Sequence, residues 1–301
     1  MSDPASPTHA RGLALTAFGG MVLTVDIPLI RLADGDPWPI LLMRSGMTLL
    51  VTLSVWFIWR SLSRKVPPLI PGRTGLAVAL LYALSALCFI TAVYNTATAD
   101  LVFILAFNSM FAALLSWIFL KERPRPATLI AMAVMLIGVL IIVGGGIGAG
   151  NLFGNMMALA SAFVLASAIT ITRGSGRDMG FAALVAVALP CLVAAVMTAR
   201  TGFRIEAPWW IVLNGAVVIP IAFFCLANGP KYISGPEVAM FYLLETVLAP
   251  IWVWMIFSEV PSRATLIGGT VLILTLVAHS LWQLRAGRRR RQAHGAIRHP
   301  V

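Results

Sequence analysis

The sequence predicts an all-α integral membrane protein: ten transmembrane helices, arranged as two inverted five-helix repeats around a central cavity. Three observations carry this expectation. The 301 residues are 59% hydrophobic and only 11% charged, where a soluble domain is about 45–50% apolar and about 25% charged. Apolar stretches long enough to cross a bilayer recur from residue 12 to residue 284, leaving no interval that could hold a soluble domain. Part of the first half also reappears in the second.

A helix rising 1.5 Å per residue needs about 20 apolar residues to cross about 30 Å of hydrocarbon. Ten segments meet that requirement: 12–31, 38–59, 74–95, 98–120, 127–146, 152–172, 180–199, 208–228, 235–257 and 264–284. Leu101–Leu120 and Ala127–Ile147 contain no charged residue at all. A transmembrane β-barrel would alternate apolar and polar residues in units of about ten, and these runs are too long and continuous for that.

The formal charge of +11 is unevenly placed. The N-terminus, the even-numbered connections and the C-terminal tail hold 17 of the 22 Lys and Arg. The opposite connections hold four (Arg31, Arg200, Arg204, Arg263), and Arg44 lies inside a segment. The positive-inside rule then puts both termini in the cytoplasm of a multi-pass protein of the inner (plasma) membrane. Arg285, Arg288, Arg289, Arg290, Arg291 and Arg298 in the tail read as an anchor on the anionic inner leaflet. A nucleic-acid face would need basic and aromatic residues interleaved on a soluble surface, and the sequence offers none.

Cys88, Cys191 and Cys225 all fall within apolar segments and read as free thiols, with spacings that exclude a CxxC metal site or a disulfide framework. The sequence contains neither HExxH nor GxSxG, and three of its four histidines lie in the terminal tails. No catalytic residue, metal or cofactor is expected. The partners expected are the lipid bilayer and a small-molecule substrate, for a monomer or homodimer. A cleavable signal peptide is not expected either.

Shifting the chain by 137 positions lays Asp100–Ala133 over Glu237–Thr270 without a gap. Trp117 falls on Trp254, Glu122 on Glu259, Pro124 on Pro261, and Ala127-Thr128-Leu129-Ile130 on Ala264-Thr265-Leu266-Ile267. A shift of 142 sets Gly12, Val22, Leu23 and Arg31 on Gly154, Val164, Leu165 and Arg173. The chain divides accordingly into a cytoplasmic tail (1–11), a first repeat (12–147), a second repeat (148–284) and a basic tail (285–301). Five segments per repeat is an odd number, so the halves insert with opposite orientations, an arrangement characteristic of transporters that alternate access across a pseudo-two-fold axis. A receptor or scaffold without flux is the alternative of a different class.

The ten segments, the inverted halves and the step Leu120-Lys121-Glu122-Arg123-Pro124, echoed more loosely by Phe257-Ser258-Glu259-Val260-Pro261, resemble the drug/metabolite transporter superfamily. Within it the chain is most similar to the EamA-type amino-acid and metabolite exporters, including the aromatic amino-acid exporter group. The resemblance spans residues 12–284. It implies a central cavity lined by both halves and export of amino acids, aromatic or apolar ones among them, or similar small metabolites. Lipophilic drugs, nucleosides or sugar derivatives are the alternative substrates on the same fold.

Ionisable groups in the hydrocarbon cost at least about 2.5–3.5 kcal/mol each and need a partner or a task. Four qualify: Asp26, Arg44, Glu245 and His279. Asp26 and Arg44 lie at equal depth, about 8–9 Å below the outer surface, and can pair as a structural clamp or act as a gate or proton-coupled switch. Glu245 sits mid-membrane on segment nine, with Asn108 as its repeat equivalent. It can bind a substrate amine, carry a coupled proton, or remain neutral against a neighbouring helix. His279 reads as a packing hydrogen bond. Tyr82, Phe89, Phe163, Phe224 and Tyr242 are candidates for a pocket around an apolar or aromatic side chain, with Phe107 a further one. Trp38, Trp56, Trp59, Trp209, Trp210 and Trp282 read as interface belts. Pro28, Pro190, Pro220 and Pro250 are expected to interrupt segments one, seven, eight and nine, and Gly144–Gly150 to form a flexible link between the halves.

Overall fold

The computed structural model describes residues 7–63, 68–121, 123–124, 126–175, 180–228 and 235–297. These are helical throughout, apart from short connections and one isolated bridge between Gly35 and Ile205. Among the described residues, nine stretches are long and apolar enough to cross a bilayer: Ala10–Leu32, Pro37–Leu62, Gly72–Asn95, Thr98–Leu120, Pro126–Ile147, Leu152–Ser175, Phe181–Thr201, Pro208–Leu226 and Arg263–Trp282. A shorter apolar helix, Leu244–Phe257, belongs to the 23-residue helix Gly235–Phe257. The chain is a multi-pass membrane protein.

Four of the stretches are broken. The first divides into α1 (Pro7–Leu23) and α2 (Asp26–Leu32) at Thr24–Val25, because Pro28 has no N–H to return to the carbonyl one turn earlier. α3 (Pro37–Leu62) and α4 (Gly72–Asn95) are continuous. The fourth stretch divides into α5 (Thr98–Ala106) and α6 (Asn108–Leu120) at Phe107, a break that no proline marks. α7 (Pro126–Ala149) and α8 (Leu152–Ser175) follow. Pro190 accompanies the next break, between α9 (Gly180–Val185) and α10 (Ala188–Thr201). Ahead of Pro220, a π-helical segment, Asn214–Val218, separates α11 (Pro208–Leu213) from α12 (Ile219–Asn228). α13 (Gly235–Phe257) carries Pro250 within an unbroken helix, so the interruption expected there is absent. α14 (Arg263–Ile297) continues past the membrane-length stretch into the basic tail.

The glycine run after residue 143 is not a flexible link. α7 continues through Gly144, Gly145 and Gly146 to Ala149, and the turn comes only at Gly150, whose φ of +77° suits glycine. A side chain at Gly145 would lie 2.4 Å from Ala264 Cβ, so the missing side chain lets α7 close on α14. The connection between the halves shortens to Gly150 and Asn151.

Helices contact chiefly across the two halves: α4 with α8, α7 with α14, α3 with α10, α1 with α12, and α13 with α5. The main core is built from α2, α3, α4, α5 and α7, with Ala249 and Val253 of α13 and Leu272 and Leu276 of α14. Its large apolar outer faces, such as Leu50, Phe57, Ile130 and Leu140, are exposed, as a bilayer-embedded surface requires.

Candidate functional site

Breaking a helix frees backbone groups and lets side chains from neighbouring helices enter the gap. Asp26 opens α2 immediately after the first break and is 4% exposed. Arg44 reaches it from α3: its Nη2 donates to both carboxylate oxygens, at 3.0 and 2.8 Å. The depth arithmetic that let the two meet is thus matched by the geometry. A third residue completes the group. Asn214, fully buried at the start of the π segment, accepts from Arg44 Nε at 3.0 Å and donates from Nδ2 to Asp26 Oδ1 at 2.7 Å and to the Asp26 backbone carbonyl at 3.0 Å.

The π segment is held by the same neighbours. Its i to i+5 pattern displaces carbonyls from their ordinary partners, and Thr48 Oγ donates to Gly215 O at 2.8 Å. Gly215 permits the approach: a Cβ there would stand 2.4 Å from Arg44 O. α2, α3 and the π segment therefore meet at one polar knot. The Arg44 guanidinium also lies over the Phe89 ring of α4, 5.6 Å from its centroid. Trp252 of α13 donates from Nε1 to Thr24 Oγ at the break between α1 and α2, at 3.1 Å.

Glu245 stands on α13, partly buried, on the helix that packs against α2 and so against the element carrying Asp26. It accepts no hydrogen bond among the described residues. Asn108, its repeat counterpart, opens α6 just past the Phe107 break and is partly buried.

The aromatic candidates separate. Phe163 of α8 meets Phe111 edge to face at 5.4 Å, and Phe111 meets Phe107 likewise at 4.9 Å, a ladder beside the α5–α6 break. Tyr82 packs with Val78 and Ala182, between α4 and α9. Phe224 is 58% exposed on α12 and is not part of the Asp26–Arg44–Asn214 knot. The side chain of Tyr242 lies outside the described residues, as does Glu122. Trp56 is no belt residue: it is 8% exposed, with the Arg60 guanidinium 5.0 Å over its ring. His279 shares a hydrogen bond of 3.0 Å with Thr128, the packing role expected of it. It also lines a groove of about 400 Å³ between α7 and α14 that includes none of Asp26, Arg44 or Glu245.

A second polar cluster lies at the end of the bundle where α2 finishes. Arg31 pairs with Glu259, in the connection from α13 to α14, and donates from Nη2 to Thr96 O at 3.3 Å. The other oxygen of Glu259 accepts the Thr98 N–H at 2.8 Å, so the carboxylate caps the N-terminus of α5. Nearby, Thr265 donates to Asp100 and Thr96 to Asn155, each at 2.5 Å. Gly154 is seated under the end of α4, where a Cβ would fall 2.2 Å from Asn95 O.

Asn214 and Glu259 were both legible only in part. Asn214 is an amide within an otherwise apolar segment, which is a signal, but its partners are distant in sequence. Glu259 stood out as a repeat match, without any indication that Arg31 would reach it.

Residues 11–144 match the EamA-like transporter family. The Pseudopaline exporter CntI of Pseudomonas aeruginosa, from two strains, is 24% identical over 276 residues, which cover 89% of this chain and 95% of the exporter. A solved crystal structure with 16% identity superposes with a TM-score of 0.62, covering 90% of this chain and 98% of its own, and supports the fold alone. The resemblance drawn from the sequence to EamA-type transporters is thus matched by a family model over residues 11–144.

Proposed function

From the premise of an EamA-like membrane transporter, we propose that the chain is a secondary exporter of small metabolites that works by alternating access, with amino acids, aromatic and apolar ones included, as its substrates. The observation that carries this reading is the polar knot of Asp26, Arg44 and Asn214. It is a charge-neutral, hydrogen-bonded cluster at membrane depth, assembled where broken helices of the first and second halves meet. Discontinuous helices around a buried polar site are the construction used where a solute crosses a bilayer.

Ten spans in two inverted repeats, 12–147 and 148–284, belong to the same proposal. The helix contacts support it: exchanging segments one to five with six to ten turns the pairing of α4 with α8 into that of α12 with α1. The pairings of α3 with α10, α5 with α13 and α7 with α14 map onto themselves. Both termini are placed in the cytoplasm on the charge asymmetry, which puts the Arg31–Glu259 cluster at the outer face. Glu245, Asn108 and Tyr242 touch the polar groups of the substrate, with Tyr82, Phe89, Phe163 and Phe224 as wall residues. Asp26, Arg44 and Glu245 carry gating or proton coupling.

The test is counterflow of labelled amino acids, with pseudopaline in the panel, into liposomes holding the purified full chain, with and without a pH gradient. Saturable flux is expected. Folded protein with no flux of any amino acid overturns the substrate reading and directs the search to lipophilic drugs, nucleosides or sugar derivatives. Specific binding without flux of any bound solute would favour a receptor.

A further inference from the structure

The ionisable side chains within the described spans are not equally engaged. Asp26 accepts three side-chain hydrogen bonds, two from Arg44 and one from Asn214. Arg44 spends Nη2 on Asp26 and Nε on Asn214, with the Phe89 ring beneath its guanidinium. The elements packed on α13 bring three more polar or ionisable positions: Asp100 on α5, held by Thr265; Arg31 on α2, held by Glu259; and His279 on α14, held by Thr128. Among the carboxylates described in these spans, Glu245 alone accepts no hydrogen bond from a described residue, although its helix packs against α2, which carries Asp26.

Charge counting turns this into chemistry. Asp26 and Arg44 cancel each other, and Asn214 ties the pair together through Arg44 Nε and Asp26 Oδ1. The knot plus an ionised Glu245 therefore carries one uncompensated negative charge in a setting where such a charge is expensive. An incoming anion would meet an arginine already neutralised by Asp26, and a repelling carboxylate at Glu245. A protonated nitrogen would meet a carboxylate that accepts no hydrogen bond from a described residue.

Building on the proposed transport site, we propose that the substrate presents a cationic nitrogen to Glu245, and that Asn214 is the positioning residue that keeps Asp26 and Arg44 paired so that Glu245 is the carboxylate left to receive it. The solute class is then one of ammonium-bearing metabolites. A free carboxylate on the solute is not required for recognition.

The experiment combines flux with a readout independent of flux. The full chain in liposomes is treated with dicyclohexylcarbodiimide, which adds to a protonated carboxyl in an apolar setting without a leaving group, and the adducts are located by mass spectrometry. Three aromatic solutes are compared as protectants and as counterflow inhibitors: phenylalanine, phenethylamine (no carboxylate) and phenyllactate (no ammonium). Labelling is expected at Glu245 and not at Asp26. Phenylalanine and phenethylamine should protect at least about ten-fold better than phenyllactate, as loss of one charge-assisted hydrogen bond dictates. In Asn214→Ala, Asp26 should become labelled, with Asn214→Gln restoring its protection. A purely structural Asn214 would lower yield without redirecting the label. Equal protection by phenyllactate, no protection by either amine, or equal labelling of Asp26 and Glu245 in the unaltered chain overturns the proposal. Protection by amines without counterflow leaves it standing and refutes export.

Discussion

The Arg44–Asp26 and Arg31–Glu259 pairs use the same two functional groups in two settings. The first is enclosed, with side chains 13% and 5% exposed, and a buried amide completes it. The second sits at the rim, with side chains 23% and 25% exposed, and the chain itself completes it through Thr96 O and the Thr98 N–H. An enclosed pair fixes geometry, because separating its members strands a charge in apolar surroundings. A rim pair is screened by water and salt and can open at small cost. One arrangement suits a site that must keep its shape, the other a contact that must be made and released.

The largest effect should come from breaking the enclosed pair on one side only. Arg44→Ala should cost about 3–5 kcal/mol by stranding Asp26, read as a fall in thermal unfolding temperature in detergent. The double change Asp26→Ala with Arg44→Ala should cost less than Arg44→Ala alone. A larger cost for the double variant would show that packing, not charge, holds the knot. Gly215→Ala comes next, since its methyl would lie 2.4 Å from Arg44 O. Overpacking of this kind costs about 1–3 kcal/mol, and the same unfolding measurement reads it. Glu259→Gln should cost no more than about 1 kcal/mol, and the loss should shrink in high salt. Unfolding in low and high sodium chloride checks this, and a salt-independent loss would place the rim pair in the same class as the enclosed one. Deleting residues 288–301 should change neither stability nor flux per folded molecule, measured in the same liposomes.

One side of this contrast, the Asp26–Arg44 pair, could be read in the sequence, whereas the Arg31–Glu259 pair could not, and the difference has physical causes. Helix existence follows from composition, because the bilayer forces every backbone group to be satisfied within its own segment. Asp26 and Arg44 were paired by depth because rise per residue converts sequence position to height. Pro28, Pro190 and Pro220 marked breaks because the missing N–H is local chemistry. Height does not give rotation about the helix axis, which is why the ring contact of Phe163 with Phe111 could not be foreseen. Nor does local chemistry foresee a break at Phe107, or a helix that continues through Pro250 and the glycines before Gly150, since the packing of neighbouring helices decides these. Asn214 shows the limit most clearly: its role lies in partners 170 and 188 residues away.

The π segment has a consequence for the ancestry and engineering of the chain. A five-residue π turn is what one inserted residue leaves in an α-helix. Removing one residue from Asn214–Val218 would restore a regular helix and turn α12 by about 100° relative to α11. Cys225, which now meets Gly19 closely, would swing away from α1 while Asn214 kept its place beside Asp26. The helix can serve both neighbours only because it is one residue too long.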